Sequence, residues 1–175
     1  RASGARIGSA RRERTRVVWR IATATIWALV MVSGERPQRW SRRAQAIGMA
    51  MRVFDDAYEY AHVRSQFGRP IWENQKVQFD FARAWAELTA AWTLIVDASA
   101  RRDRGEAITR IASAANLVAT ETAWKAASDL STHFGGMAFT QESPWLARLL
   151  DIAPTRVYEG ANNIQHMVIA KHLDD

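Results

Sequence analysis

WENQKVQFDFARAWAELTAAWTLIVDASARR, residues 72–102, is the stretch that decides the fold. Val77, Phe81, Ala84, Leu88, Ala91 and Ile95 recur at intervals of three or four. That period lines one face of an α-helix. No proline or glycine interrupts it, so a single long helix is predicted from about Trp72 to Arg102.

Downstream, Asp103-Arg104-Gly105 reads as a short turn. An alanine-rich helix is then expected from about Glu106 to Phe134, with small side chains suited to close packing. Gly135-Gly136 should stop it, because glycine closes helices readily. A short helix is expected over Pro144–Leu150, and a last one, after Pro154, from roughly Gly160 to Leu173. Upstream, Phe67-Gly68-Arg69-Pro70 breaks the chain, since proline cannot continue a helix. Before it, Ala46, Met49, Ala50, Val53, Ala57, Tyr60 and Ala61 share a helical face reaching about Arg64. That helix should open after the turn Ser33-Gly34-Glu35-Arg36-Pro37. No strand alternation is read after residue 33. Long helices joined by short loops imply an all-α protein, an antiparallel four-helix bundle with the last helix as the fourth member. Trp85, Trp92 and Trp124 fall at helical spacing and are expected to pack in its core.

Charge is uneven. Residues 1–43 hold eleven Arg and two Glu, a balance of +9, which leaves −3 for the rest. A nucleic-acid groove would need basic residues and aromatics through the body of the protein, so no nucleic-acid partner is expected. An apolar run from Val17 to Val32, broken by Arg20, follows four arginines and has the outline of a leader or anchor. It falls short of the ~20 apolar residues that span a bilayer, so a membrane role is not expected. Residues 1–33 are set apart as an unassigned basic and apolar segment, and 34–175 as the helical domain. With no cysteine, disulfides and thiolate metal sites are excluded, and a reducing, cytoplasmic setting is expected. The four histidines show no metal-ligand spacing, and no metal site is expected.

Three motifs in order carry a resemblance. Tyr60-Ala61-x-x-Arg64-x-x-Phe67-Gly68-x-Pro70-Ile71 precedes Gln75. Phe134-Gly135-Gly136 precedes Glu142 and Pro144. Tyr158-Glu159-Gly160 precedes Asn163-Ile164-Gln165 and Ile169-Ala170. Together they resemble the C-terminal helical domain of acyl-CoA dehydrogenases over about residues 34–173. The resemblance implies FAD held between subunits, an acyl-CoA substrate, electron-transfer flavoprotein as electron acceptor, and a homo- or hetero-oligomer, dimer or tetramer. The reaction implied removes a proton from the α carbon and a hydride from the β carbon of the thioester.

By resemblance Glu159 is the catalytic base, with its backbone N–H polarising the thioester carbonyl. Tyr158 and Gly160 would border the acyl chain, and Arg36 would stand near the substrate. Arg64 is implied to bind the FAD pyrophosphate, Phe67 to pack on adenine, and Gln75, Thr132, Gly135, Gly136 and Asn163 to touch the flavin. The residues alone leave other readings open. Glu159 also suits the first turn of a helix, where the helix dipole favours an acid. Glu35, beside Arg36, is a second candidate base. Three positions depart from the family pattern: Thr132 stands where glutamine is usual, Ala138 where glycine is, and Ala161 where a hydroxyl residue is. The family's two other domains have no counterpart here. The isolated chain is therefore expected to be inactive, and a truncated subunit completing a flavin site in a heteromer is the alternative.

Overall fold

The computed structural model describes residues 38–141, 143–158 and 160–174, with side chains from position 43 onward. The chain divides into two units, Arg1–Ser41 and Arg42–Asp175. Only the opening residues of the first helix belong to the described part of the former. Helix α1 runs Gln38–Val63, α2 Gln75–Asp103, α3 Thr109–Ser131, α4 Pro144–Ile152 and α5 Asn162–Lys171.

The expected face of α2 is the buried one: Val77, Phe81, Ala84, Leu88, Ala91 and Ile95 are all shielded, and Ala98 extends the row. Helix α3 buries Ala115, Ala119, Ala123, Ala126 and Ala127, and α1 buries Ala46, Ala50, Val53, Ala57 and Ala61. Side chains this small let helix axes approach closely, and the larger Phe81, Leu88 and Leu130 fill the space between them.

Cross-helix contacts give the directions. Lys125 bonds Glu87 at 2.8 Å, and Arg83 reaches Asp129 at 3.5 Å, so α2 and α3 run antiparallel. Arg110 at the start of α3 donates to the His172 carbonyl beyond the end of α5, while Thr120 meets Asn162 at the start of α5. Phe54 and Tyr58 of α1 contact Phe81 edge-on, and His62 stacks on Trp72. The bundle is therefore the all-α, antiparallel four-helix arrangement read from the sequence. No described helix is long and apolar enough to cross a membrane.

Several boundaries differ from the expectation. Helix α2 begins at Gln75 instead of Trp72, because Ile71–Glu73 form a 3-10 turn and Asn74 is extended. The Gln78 side chain takes up the Trp72 carbonyl at 3.0 Å. Helix α3 starts at Thr109 instead of Glu106 and stops at Ser131 instead of Phe134. The glycine pair does not halt the chain there; it lies inside a 3-10 segment, Thr132–Phe139, kinked at Gly135. Helix α5 starts at Asn162, since Gly160, with φ 111°, is not helical. A two-residue hairpin, β1 Ser65–Gln66 with β2 Arg69–Pro70, also appears, too short for an alternation to reveal. Trp85 is 49% exposed, not core, because it sits beside the apolar face of α2 and not on it.

Candidate functional site

The end of α1, the hairpin, the start of α2 and the 3-10 segment after α3 meet around an open groove of about 430 Å³. Tyr60 and Arg64 enter from the end of α1, Asn74 from just before α2, Val77 from α2, and the run Thr132–Met137 forms the opposite wall. Arg64 ends its helix: its N–H donates to the Tyr60 carbonyl at 2.8 Å, and its own carbonyl accepts from Ile71 at 2.9 Å. Its guanidinium is exposed and carries the fork of donors suited to phosphate oxygens.

The glycine wall is anchored from behind. Phe134 is buried and stacks on Trp145 of α4 with centroids 3.7 Å apart. Arg148 of the same helix lies over Trp145 and forms an ion pair with Asp56 of α1. His133 stacks on Phe81 and places Nε2 3.3 Å from Asp80, although not in line for a hydrogen bond. Burial lowers the His133 pKa; Asp80 opposes this, Lys76 adds to it and Asp129 opposes it. Gly135 has φ 59° and ψ −144°, a region in which a side chain is strained. Gly136 has no such φ, and a Cβ there would meet nothing in this chain.

Four residues singled out in the sequence thus share this groove: Arg64, Thr132, Gly135 and Gly136. Thr132 is exposed, but its hydroxyl donates to the Asp129 carbonyl at 2.6 Å and so closes α3. Gln75 is exposed at the first position of α2, next to Asn74. Phe67 is fully exposed at the hairpin tip with φ 53°, and Gly68 follows at φ 80°. Positive φ at both central residues is the I′ turn that two-residue hairpins favour, but an aromatic residue is a poor occupant of it.

The remaining candidates lie at a second place, beside the middle of α3. Tyr158 is 37% exposed, Gly160 is half-buried, and Asn163 is exposed on α5. The N–H groups of Val157 and Tyr158 both donate to the Pro154 carbonyl, at 2.9 and 3.0 Å. The Gly160 carbonyl accepts from Gln165 at 2.8 Å and from Asn116 of α3 at 3.3 Å. Asn162, next to Asn163, is buried and joins Thr120 to Glu121. Glu159, Glu35, Arg36 and Glu142 lie outside the described residues.

Sequence reasoning passed over Asn74, His133 and Met137 in the groove, and Arg43 and Asn116 near Gly160. Asn74 carried only the signal of a helix start, and His133 only its place before the Phe-Gly-Gly motif. Arg43 stood out as a charge on a helix whose other described buried positions are apolar, visible only once the face is known.

Comparison with known proteins agrees with this architecture. The family model "Acyl-CoA dehydrogenase, C-terminal domain" matches residues 27–173. A curated cyclohexane-1-carbonyl-CoA dehydrogenase of Geobacter metallireducens is 35% identical over 130 residues, 74% of this chain and 34% of that protein. The butyryl-CoA dehydrogenase structure from Megasphaera elsdenii superposes with a TM-score of 0.76 at 31% identity, over 89% of this chain and 38% of that one. The FAD complex of PigA superposes with a TM-score of 0.72 at 29% identity, over 75% of this chain and 34% of that one. This chain spans about a third of the length of the curated relatives it matches. A helical bundle with a hairpin-bounded groove, a kinked glycine pair and a family match over most of its length together place the chain in the acyl-CoA dehydrogenase family.

Proposed function

We propose that this chain carries the base and part of the cofactor site for FAD-dependent α,β-dehydrogenation of an acyl-CoA thioester. The observation that carries the reading is the groove in which Arg64, Gly135 and Gly136 converge. The residues present fit a dinucleotide. Arg64 would bind its pyrophosphate, and the open backbone at Gly135 and Gly136 would let amide groups come close to it. Phe67, exposed and strained in a way the fold itself does not require, would pack on adenine, with Gln75 and Thr132 nearby. Asn163, Tyr158 and Gly160 stand apart from this groove. They suit a second cofactor position, with Asn163 toward the flavin and Tyr158 and Gly160 beside the acyl chain. An assembly of two or four subunits would join one chain's groove to another chain's Glu159 segment.

When bound, FAD supplies the acceptor for the hydride that leaves the β carbon. The chain's own task is proton transfer. The α C–H of a thioester is a weak acid, so a base must sit within hydrogen-bond reach of it. Glu159 takes this proton, and its backbone N–H steadies the charge that develops on the thioester oxygen. Arg36 would bear on the substrate, and electron-transfer flavoprotein would accept the electrons.

Glu159→Gln tests the reading in the FAD-loaded assembly that contains this chain. Flavin bleaching by an acyl-CoA should fall by ~10³-fold or more, with an unchanged far-ultraviolet dichroism spectrum. Undiminished bleaching would move the base to Glu35.

A further inference from the structure

We infer that Asn116, oriented by Arg43, is a positioning residue that holds the Gly160–Ala161 peptide, one peptide beyond Glu159; its catalytic consequence rests on the reading of Glu159 as the base. The Gly160 carbonyl accepts from two helices of the bundle, and a third reaches it only through Asn116. Asn116 Nδ2 of α3 donates to it at 3.3 Å, and Gln165 Nε2 of α5 at 2.8 Å. Arg43 Nε of α1 in turn donates to Asn116 Oδ1 at 3.4 Å. A guanidinium has donors only, so Asn116 must turn its oxygen toward Arg43. Its amide nitrogen is then left to donate to the Gly160 carbonyl.

The burial of these groups argues for a purpose. Arg43 is 4% exposed and Gln165 3% exposed. A charge is costly to remove from water, and the next buried positions on α1 are the apolar Ala46 and Ile47. Packing alone does not call for an arginine there. The peptide being held is also one that needs holding. Gly160 has φ 111°, and a Cβ built on it would come within 2.5 Å of Gln165 Nε2. On the other side, the Val157 and Tyr158 N–H groups are tied to the Pro154 carbonyl. In sequence, Glu159 falls between these two anchored positions, Tyr158 and Gly160. Anchored neighbours restrict the backbone motion that would cost a base its near-attack geometry.

Asn116→Asp is the informative variant. It keeps the size and the Arg43 contact, but a carboxylate cannot donate to the Gly160 carbonyl. In the full chain, nitrogen relaxation should show Gly160 and Ala161 rigid in the wild type, with order parameters of about 0.85, falling below about 0.6 in the variant. Arg43→Met should loosen the same two residues, and Arg43→Lys should loosen them less. In the FAD-loaded assembly, kcat for flavin reduction should fall about tenfold or more in Asn116→Asp while KM stays within about twofold. A residue that serves only stability would lower the melting temperature without this split. Order parameters at Gly160 and Ala161 that are low in the wild type, or equal in wild type and variant, overturn the inference, as does an unchanged kcat in an assembly that Glu159→Gln inactivates. If Glu159→Gln leaves flavin reduction intact, it is the base assignment that fails, and the relaxation result still decides whether Asn116 holds this peptide.

Discussion

Two residues have effects that can be worked out one at a time. Gly160 combines φ 111° with a Gln165 amide where its Cβ would stand. Gly160→Ala should cost about 1–3 kcal/mol in a urea titration, and it should also disturb the Gln165 bond to the Gly160 carbonyl. His133 gives a pH dependence. Burial holds its pKa below the ordinary 6.5, so the folded chain binds the proton less readily than the unfolded chain. Its contribution to stability is complete above the unfolded value. It is lost as the pH falls through 6.5 toward the folded pKa, because the unfolded chain takes up the proton first. Stability from urea melts should therefore rise with pH across that window, and His133→Phe should flatten this part of the curve.

At the scale of elements, the hairpin and α4 make opposite demands on stability and function. Phe67 occupies a left-handed position that asparagine tolerates better. Phe67→Asn should stabilise the bare chain by roughly 1 kcal/mol while weakening FAD binding, measured by calorimetric titration of the assembly. A gain in both quantities would mean that the exposed ring serves neither adenine nor a partner surface. Helix α4 begins with Ser143, whose hydroxyl accepts from the Trp145 N–H at 3.3 Å, followed by Pro144. Ser143→Ala should cost about 0.5–2 kcal/mol. Because Trp145 and Arg148 of that helix brace the glycine wall through Phe134 and Asp56, the same change should lower FAD affinity as well.

For the whole molecule, the bundle holds the two candidate places apart. The Arg64 groove opens where α1 ends and α2 begins, and the Glu159 segment precedes α5. Leu88 is fully buried on α2, and Leu88→Ala should cost about 2–5 kcal/mol in chemical denaturation, weakening both places together. Arg64→Ala should behave differently. It should leave the melting temperature of the bare chain nearly unchanged but reduce FAD affinity by ~tenfold or more, since a charge-assisted phosphate contact is lost. Equal FAD affinity in wild type and variant would remove the groove from the cofactor site.

The sequence by itself determined the helices, their faces and the candidate residues. Helical periodicity is a local property, and every residue of the predicted row from 77 to 95 on α2 is buried, with Asp80 and Ala98 joining it. Helix ends were less legible, because they turn on single backbone conformations such as the kink at Gly135 and on side-chain bonds such as Gln78 to the Trp72 carbonyl. Trp85 was misplaced for a related reason: spacing shows which residues share a face but not how wide the covered stripe is. Only the tertiary structure decided which distant residues meet. Arg64 and the glycine pair, some seventy positions apart, line one groove because α1 and α3 end at the same end of the bundle. Arg43, Asn116 and Gly160 form a chain of contacts because α1, α3 and the turn before α5 come together, and no spacing along a chain encodes that coincidence.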